Sequence, residues 1–305
     1  ADRVQASAAT ATTASNCGGA ATPTTTSLSI GIDGVSRLVL VYVPAASSRV
    51  GPLPLVLNLH GSQSTAAEQA VFSGMDAAAD ADRFIVAYPQ AVIPSGTGFD
   101  WNVPGAPLAG GQAAPKNPPN DVAFLSQLPN DLAGRFCIDP ERVYVTGFSG
   151  GAWMTSQLAC EAGNVFAAFA PVSGLRFPAN CEPTRPVALL AFHGSADPID
   201  PYNGNGQPYW TESVPAAARQ WADVEDCVGS TAMSTPAATA LLTTFAGCEA
   251  GSAIAYYTIA GLGHEWPGGP NMPKRITNLL GPQSNAVNAN AVIWAFFASH
   301  ALGAS

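Results

Sequence analysis

The sequence predicts an α/β fold in which a mostly parallel central sheet is covered by helices on both faces. Short apolar runs, typical of strands buried on both sides, recur along the chain. Helix-compatible segments separate these runs, and strands that alternate with helices pair in parallel through crossover connections. The 305 residues fall within the range of one large domain or two small ones, and the chain shows no internal repeat and no second domain. We therefore expect a single domain over residues 27–305.

The chain starts with a predicted tail and a predicted hairpin. Residues 1–26 are rich in Ala, Thr and Ser without periodicity, which predicts a tail that a disulfide through Cys17 would tie down. Ser27–Ile32 and Arg37–Val43 alternate between polar and apolar residues, as strands do. Asp33-Gly34 between them is a turn signal, so these segments predict a β-hairpin at the start of the sheet.

Alternating strands and helices follow the hairpin. The predicted strands are Leu53–Leu59, Phe84–Tyr88, Val143–Val145, Val187–Phe192 and Ile254–Ile259. The predicted helices are Ala66–Ala81, Asp121–Arg135, Ala152–Ala159, Ser213–Ala222 and Asn288–His300. The segment Ile93–Pro119 is rich in Gly and Pro, and its length is typical of a functional or mobile loop.

Composition favours an extracellular protein that binds neither nucleic acid nor membrane. Charged residues make up 11% of the chain, against roughly 25% in an average globular protein, and only Lys116 and Lys274 are lysines. A net charge of −9 disfavours nucleic acid and anionic membranes, since both attract basic patches. No apolar run reaches the ~18 residues of a membrane span. The chain begins at Ala1 without a visible signal peptide, as a processed protein would, and we expect a secreted monomer.

Six cysteines indicate disulfides in an oxidising compartment, because their number is even and no C-x-x-C pair suggests a metal or redox motif. Six cysteines allow 15 pairings, and the sequence alone does not choose among them. Closure of short local loops favours Cys160–Cys181 and Cys227–Cys248, which leaves Cys17–Cys137. The alternative is that some of the six are buried free thiols.

The pentapeptide Gly147–Gly151, Gly-Phe-Ser-Gly-Gly, has the G-x-S-x-G pattern of a nucleophile elbow. It lies between the predicted strand Val143–Val145 and the predicted helix Ala152–Ala159. Glycines suit such a sharp turn because side chains there would collide with neighbouring backbone. The helix that follows directs free amide groups at the place where an oxyanion forms. Ser149 is therefore the candidate nucleophile.

A serine nucleophile needs a base, and His264 is the best of four histidines. His60 and His193 each follow a buried strand directly and precede Gly, while His300 lies in the terminal helix. His264 lies in the glycine-rich loop Gly261–Gly269, beyond a predicted strand. This position places it at the carboxyl ends of the strands, where open α/β sheets carry their active sites.

The acid that orients this base is expected between the serine and the histidine in chain order. Asp197 and Asp200 both lie in the loop after the Val187–Phe192 strand. We prefer Asp197 for its distance from the strand, and Asp200 remains the alternative. The remaining carboxylates of this region lie beyond a helical segment and suit a solvated face: Asp223, Glu225 and Asp226.

Two backbone amides are candidates for an oxyanion hole. One is the amide of Gly150, the residue after the nucleophile. The other is the amide of Ser62, because Gly61 before it permits close approach of the loop that follows an earlier strand. His60 in that loop is more simply a structural side chain than a catalytic base, and the same applies to His193.

Several stretches in this order resemble the secreted esterases grouped with polyhydroxybutyrate depolymerases and feruloyl esterases. They are Leu-His-Gly at 59–61, Val-Tyr-Val-Thr-Gly-Phe-Ser-Gly-Gly at 143–151, Phe-Ala-Ala-Phe-Ala-Pro-Val-Ser-Gly at 166–174, His-Gly-Ser-Ala-Asp-Pro-Ile-Asp-Pro-Tyr at 193–202 and Gly-His-Glu-Trp-Pro-Gly-Gly at 263–269. Asp-Trp-Asn at 100–102 and Asn-Asp-Val-Ala-Phe-Leu at 120–125 also resemble family elements near the cleft.

The resemblance implies an α/β-hydrolase fold and a triad of Ser149, Asp197 and His264. The chain departs from the family's pattern in two ways. Ser62 stands where many relatives have Cys, and we expect no appended substrate-binding domain. The second departure weakens a reading as a depolymerase of insoluble polyester.

The expected substrate is a feruloyl or acetyl ester of plant cell-wall polysaccharide, and the runner-up is a hydroxyalkanoate polyester or its oligomers. Five aromatic residues near the motif loops are candidates for stacking on an acyl group or a sugar: Trp101, Trp266, Tyr202, Tyr209 and Trp210. An acyltransferase and a non-catalytic carbohydrate-binding scaffold are more remote alternatives. We expect no cofactor and no metal, because the histidines are scattered and each has another role.

Overall fold

The computed structural model describes residue 17 and residues 21–32, 34–45, 51–205 and 209–303. Ten strands form one sheet, and two short strands form a separate hairpin. The strands are β1 (Thr24–Ile32), β2 (Val35–Val43), β3 (Leu53–Leu59), β4 (Ile85–Pro89), β5 (Ile93–Ser95), β6 (Gly98–Asp100), β7 (Ile138–Phe148), β8 (Ala168–Val172), β9 (Ala188–Gly194), β10 (Ala232–Ala237), β11 (Ala240–Thr244) and β12 (Ala253–Ile259).

The sheet has the order β1-β2-β4-β3-β7-β8-β9-β12-β11-β10. Six central strands are parallel, namely β4, β3, β7, β8, β9 and β12. Two antiparallel strands extend the sheet at each edge, β2 and β1 on one side and β11 and β10 on the other. The predicted mostly parallel α/β sheet is confirmed. The predicted first hairpin is confirmed as well, with Ile32 opposite Val35, although Asp33 of its turn lies outside the described residues. Most of the predicted tail, residues 1–16 and 18–20, also lies outside them.

Seven α-helices lie among the described residues. They are α1 (Ala66–Ser73), α2 (Met75–Asp82), α3 (Asp121–Ala133), α4 (Gly150–Glu161), α5 (Val214–Val224), α6 (Lys274–Leu280) and α7 (Ala289–Phe297). The single helix predicted over Ala66–Ala81 is wrong. Gly74 adopts the left-handed conformation, with φ of 59°, which ends α1 and starts α2.

Several elements of the structure have no clear signal in the sequence. Strand β8 is only five residues long and contains Pro171, so its apolar character alone did not mark it as a strand. Strand β10 is mostly exposed and lacks an apolar run. The predicted loop Ile93–Pro119 contains the β5–β6 hairpin. Helix α6 has no buried residue, so no apolar stripe predicts it.

The fold contains two apolar cores. One includes Leu57, Val145 and Trp221, and the other includes Val56, Tyr144 and Trp266. Consecutive residues of a strand point to opposite faces, so these cores lie on the two sides of the sheet. Helices therefore cover both faces, as predicted. No helix in the described part of the chain is long and apolar enough to cross a membrane.

Three disulfides fasten the domain, and the predicted pairing is confirmed. The bonds are Cys17–Cys137, Cys160–Cys181 and Cys227–Cys248. No cysteine is free, so the alternative of buried thiols is excluded. The first bond joins the N-terminal segment to the residue directly before β7, the strand that leads to Ser149.

Candidate active site

Ser149 occupies a sharp turn between β7 and α4. Its φ of 54° and ψ of −119° are unusual for a residue with a side chain, and such strain is typical of a nucleophile elbow. The backbone holds the turn on both sides. The Ser149 amide donates to the Val172 carbonyl at 3.0 Å, and the Ser149 carbonyl accepts from the Trp153 amide at 2.9 Å.

The glycines on either side of Ser149 are required by close approach. A side chain at Gly147 would place its Cβ 2.5 Å from the carbonyl oxygen of Gly151. A side chain at Gly151 would place its Cβ 2.6 Å from the carbonyl oxygen of His60. Both separations are shorter than any real Cβ contact, so the G-x-S-x-G pattern follows from packing of the elbow against β3 and its loop.

His264 lies in the loop after β12, as the sequence predicts. Its Nδ1 lies 2.7 Å from Oδ2 of Asp197, within a buried hydrogen bond. Its ring centroid lies 4.8 Å from that of Phe148, the residue before the serine. The His264 amide donates to the Leu280 carbonyl at 2.5 Å, which fixes the loop from behind. The geometry thus brings this imidazole to the elbow with one nitrogen bound to a carboxylate.

Asp197 is the carboxylate that contacts His264. Its second oxygen, Oδ1, accepts from the amides of Ile199 and Asp200, each at 2.8 Å. Burial raises the pKa of Asp197, but the neighbouring imidazoles of His264 and His193 outweigh burial and hold it below its usual range. Burial lowers the pKa of His264, and the charges of Asp197 and Asp200 overcome this effect and raise it.

The alternative acid, Asp200, has no contact with His264 in the hydrogen-bond network. Its Oδ2 accepts from the indole nitrogen of Trp153 at 3.2 Å. It is 2% exposed, and burial raises its pKa to about 6. Of the two candidate carboxylates, only Asp197 is therefore hydrogen-bonded to the imidazole of His264.

His60 and His193, the two histidines expected to be structural, are buried and hydrogen-bonded to backbone groups. His60 Nδ1 lies 2.8 Å from the Gly61 carbonyl, and its Nε2 accepts from the Ala91 amide at 3.0 Å. Burial lowers the pKa of His60 to about 4, so the ring is neutral at pH 7. His193 Nε2 lies 2.7 Å from the Asp200 carbonyl and 3.3 Å from Asp197. Neither ring contacts the candidate nucleophile through a hydrogen bond of the described residues.

The two candidate oxyanion donors are adjacent. A Cβ built on Gly150 would lie 3.1 Å from the Ser62 amide nitrogen, so the Ser62 backbone packs against Gly150. A Cβ on Gly61 would lie 3.3 Å from Cβ of Ser149, so this loop also passes directly over the serine. The structure thus brings both amides to the side of the elbow.

Three of the five candidate aromatic residues are buried. Trp101, Trp210 and Trp266 are 3%, 3% and 1% exposed, and their indole nitrogens donate to protein oxygens. Their rings pack the loops, which reduces the expected stacking surface. Tyr202 and Tyr209 are half-buried and pack partly against the apolar core. The Tyr202 hydroxyl lies 2.9 Å from the hydroxyl of Thr258.

Sequence reasoning did not single out Glu265, Trp153 or Arg176. Glu265 is fully buried beside His264, and neither of its carboxyl oxygens has a hydrogen-bond partner among the described residues. Burial raises its pKa to about 7. The Arg176 guanidinium lies 4.6 Å from the ring of Trp153, one helical turn after Ser149. Glu265 lies within the motif at 263–269, but the motif does not show that its carboxyl group is buried, and none of the motifs contains Trp153 or Arg176. Their surroundings depend on contacts between distant parts of the chain.

Comparison with known proteins gives the class and then the family. The acetyl xylan esterase from Aspergillus awamori shares the fold, with a TM-score of 0.60 over 84% of this chain and 98% of that one at 18% identity. With its parallel sheet and strained serine between strand and helix, the chain is an α/β-hydrolase. The model of the esterase PHB depolymerase family matches residues 38–200. The chain belongs to this family and is a carboxylic ester hydrolase.

Two curated relatives support this assignment. NocK of Nocardia uniformis subsp. tsuyamanensis, a protein named as an esterase, is 32% identical over 81% of this chain and 75% of its own length. Feruloyl esterase B of Piromyces equi is 28% identical over 75% of this chain. The chain spans only 42% of that second relative, which is therefore a considerably longer protein. The resemblance seen in the motifs is thus confirmed as family membership.

Proposed function

We propose that the protein is a secreted serine esterase in which Ser149 is the nucleophile, His264 the base and Asp197 the orienting acid. The observation that carries this proposal is the 2.7 Å contact between His264 Nδ1 and Asp197 Oδ2 beside a strained serine elbow. With its Nδ1–H donated to a carboxylate, the imidazole keeps Nε2 free to accept a proton. This is the tautomer that a general base needs.

The first half of the reaction forms an acyl-enzyme. His264 takes the hydroxyl proton of Ser149 as its oxygen attacks the ester carbonyl, and the charge that develops on the carbonyl oxygen is held by the amides of Ser62 and Gly150. Each such donor is worth about 2.7–4 kcal/mol of transition-state stabilisation. The imidazolium then gives its proton to the departing alcohol.

The second half releases the acid. His264 accepts a proton from water, the resulting hydroxide attacks the acyl carbonyl, and Ser149 leaves with the proton that the imidazolium returns. The ionised carboxylate of Asp197 stabilises the imidazolium in both halves. The low pKa of Asp197 supports this role, because the carboxylate stays charged across the pH range in which His264 cycles.

The proposed substrate is a feruloyl or acetyl ester of plant cell-wall polysaccharide. The similarity to feruloyl esterase B over 75% of this chain supports a feruloyl ester as the substrate. The half-buried rings of Tyr202 and Tyr209 follow the acid loop and could contact an aromatic acyl group. Three disulfides support a secreted protein, since such bonds persist in oxidising compartments.

A hydroxyalkanoate polyester or its oligomers are the second candidate. The description of the matching family, esterase PHB depolymerase, favours it. Rates measured side by side on methyl ferulate, acetylated xylan and hydroxybutyrate oligomers separate the candidates. A preference for the oligomers of at least tenfold in kcat/KM would replace the plant cell-wall assignment.

Removal of the nucleophile tests the triad. We expect Ser149→Ala to lose activity on a chromogenic short-chain ester by about 10⁶-fold in kcat, because the variant lacks the hydroxyl on which the acyl-enzyme forms. Ser299→Ala, a change at an exposed serine of the C-terminal segment, is the matched control and should keep full activity. Retained turnover in Ser149→Ala with an unchanged melting temperature would assign the chemistry to another residue.

A further inference from the structure

Strand β6 and the residue after it hold the loop that carries Ser62. Three consecutive residues of this segment bind three residues of that loop. The contacts are the Phe99 amide to the Ser64 carbonyl at 3.0 Å, the Gln63 amide to Asp100 Oδ1 at 2.8 Å, and the Trp101 indole nitrogen to the His60 carbonyl at 2.9 Å. Bonds therefore fix the chain on both sides of Ser62.

Asp100 is the central residue of this arrangement. Its side chain is buried, and while Oδ1 accepts from Gln63, Oδ2 accepts from the Ala109 amide at 2.9 Å. Gln63 has a φ of 60°, in the left-handed region that favours glycine. A residue with a side chain stays in that conformation only when its surroundings hold it there. The bond to Asp100 is one such restraint on the peptide that follows Ser62.

We propose that Asp100 is a positioning residue for the oxyanion hole, which keeps the Ser62 amide aimed at the ester oxygen. The inference rests on the proposed function, in which that amide is a donor. Donors stabilise a transition state best when they are oriented before the reaction and need no reorganisation. Asp100 supplies this orientation through Gln63, although it does not itself touch the substrate.

An aspartate suits this position because two backbone amides must be satisfied at once. The carboxylate offers an acceptor to each of Gln63 and Ala109. Asparagine has nearly the same shape but only one acceptor oxygen, so one of the two amides would face an NH₂ group. In Asp100→Asn one of the two bonds is lost, so the side chain holds the Gln63 peptide less firmly and the Ser62 amide is aimed less closely at the oxyanion.

The test compares Asp100→Asn with the wild-type enzyme on a soluble ester. We expect kcat to fall by about 10- to 100-fold, less than the 10²- to 10³-fold loss on removal of an oxyanion donor. KM should change by less than about twofold, because the oxyanion exists only in the transition state. Asp139→Asn is the matched control, since its Oδ1 also accepts a backbone amide, that of Glu141 at 3.0 Å, near the opposite end of β7. The control should keep the wild-type kcat.

A thionoester gives a readout that a merely structural role would not change. Sulfur is a poorer acceptor than oxygen in an oxyanion hole, so the wild-type enzyme should prefer the oxygen ester, and Asp100→Asn should reduce this preference at least severalfold. Trp101→Phe provides a second variant, because it keeps an aromatic side chain but removes the N–H that donates to the His60 carbonyl. It should show the same pattern more weakly, and it carries the test if Asp100→Asn does not fold.

The outcomes separate this inference from the proposed function. If Ser149→Ala is inactive but Asp100→Asn and Trp101→Phe both keep the wild-type kcat and ester preference, the positioning role is wrong and the triad stands. A 10- to 100-fold rise in the KM of Asp100→Asn without a change in kcat would also overturn the positioning role. If Ser149→Ala itself stays active, the proposed function fails before Asp100 is considered.

Discussion

Two carboxylates on one loop have opposite pKa shifts. Asp197 and Asp200 lie three residues apart and both are buried. Asp197 contacts two imidazoles, which hold its pKa below the usual range despite burial. Asp200 is bonded by the Trp153 indole at 3.2 Å, a weaker compensation, and burial raises its pKa to about 6. The partners of each side chain, rather than its distance from the strand, thus separate the candidate acid from its neighbour.

The buried carboxyl group of Glu265 predicts a pH-dependent loss of stability. Its pKa is raised by burial from 4.5 to about 7, so the folded state keeps the proton over a range in which the unfolded chain releases it. Ionisation therefore destabilises the fold progressively as pH rises from about 4.5 to 7. Glu265→Gln, which stays neutral, should be more stable than the wild type by up to about 3 kcal/mol at pH 8 and similar to it at pH 4.

Urea unfolding at pH 4, 6 and 8 measures this difference. Glu249→Gln replaces an exposed glutamate and is the matched control. Its effect on the free energy of unfolding should not grow with pH. A constant difference between Glu265→Gln and the wild type at all three pH values would contradict the prediction.

At the scale of elements, the long buried strands were the most predictable. Leu53–Leu59 was predicted with the bounds that the structure has, because a continuous apolar run matches a strand buried on both faces. Helix patterning was less decisive where a single residue interrupts it. Ala-rich segments on both sides of Gly74 suit one helix, and only the left-handed backbone of that glycine divides them.

The glycine between α1 and α2 gives a prediction at this scale. Gly74→Ala places a side chain in the left-handed region and its Cβ 3.0 Å from Cγ of Pro270. We expect a loss of at least about 1–2 kcal/mol in the free energy of unfolding. Gly134→Ala, at φ −68° and with no neighbour of its Cβ closer than 3.6 Å, is the control and should be neutral or stabilising by about 0.4–1 kcal/mol. Equal effects of the two changes in urea unfolding would show that backbone conformation at Gly74 is unimportant.

For the whole molecule, the order of strands and loops along the chain predicts which loops carry the candidate site, but it does not predict which side chains make contact there. The sequence indicates which loops carry Ser149, Asp197 and His264, because parallel strands end at one edge of the sheet. It does not indicate that Asp100 binds the loop of Ser62, or that the Glu265 carboxyl group has no hydrogen-bond partner in the described part of the chain. Such features depend on which side chains meet across the fold, and periodicity carries no information about that.

The disulfides predict how stability is distributed over the chain. Cys17–Cys137 joins residues 120 apart, while Cys160–Cys181 joins residues 21 apart. Loop-closure entropy of the unfolded chain then predicts a loss of about 5 kcal/mol on replacing the first pair by serine and about 3 kcal/mol for the second. Denaturant unfolding of the two double variants compares them. A larger loss for Cys160–Cys181 would contradict the entropic account.

In the proposed function, Ser149 is the nucleophile of a triad completed by His264 and Asp197. A fluorophosphonate probe reacts covalently with a serine that a base activates. The labelled residue can be identified when the folded enzyme is labelled, then digested, and its peptides are analysed by mass spectrometry. We predict a single adduct on Ser149 that is absent from Ser149→Ala and at least about 100-fold slower to form in His264→Ala. An unlabelled Ser149 in the folded enzyme, or labelling that does not depend on His264, would contradict the claim.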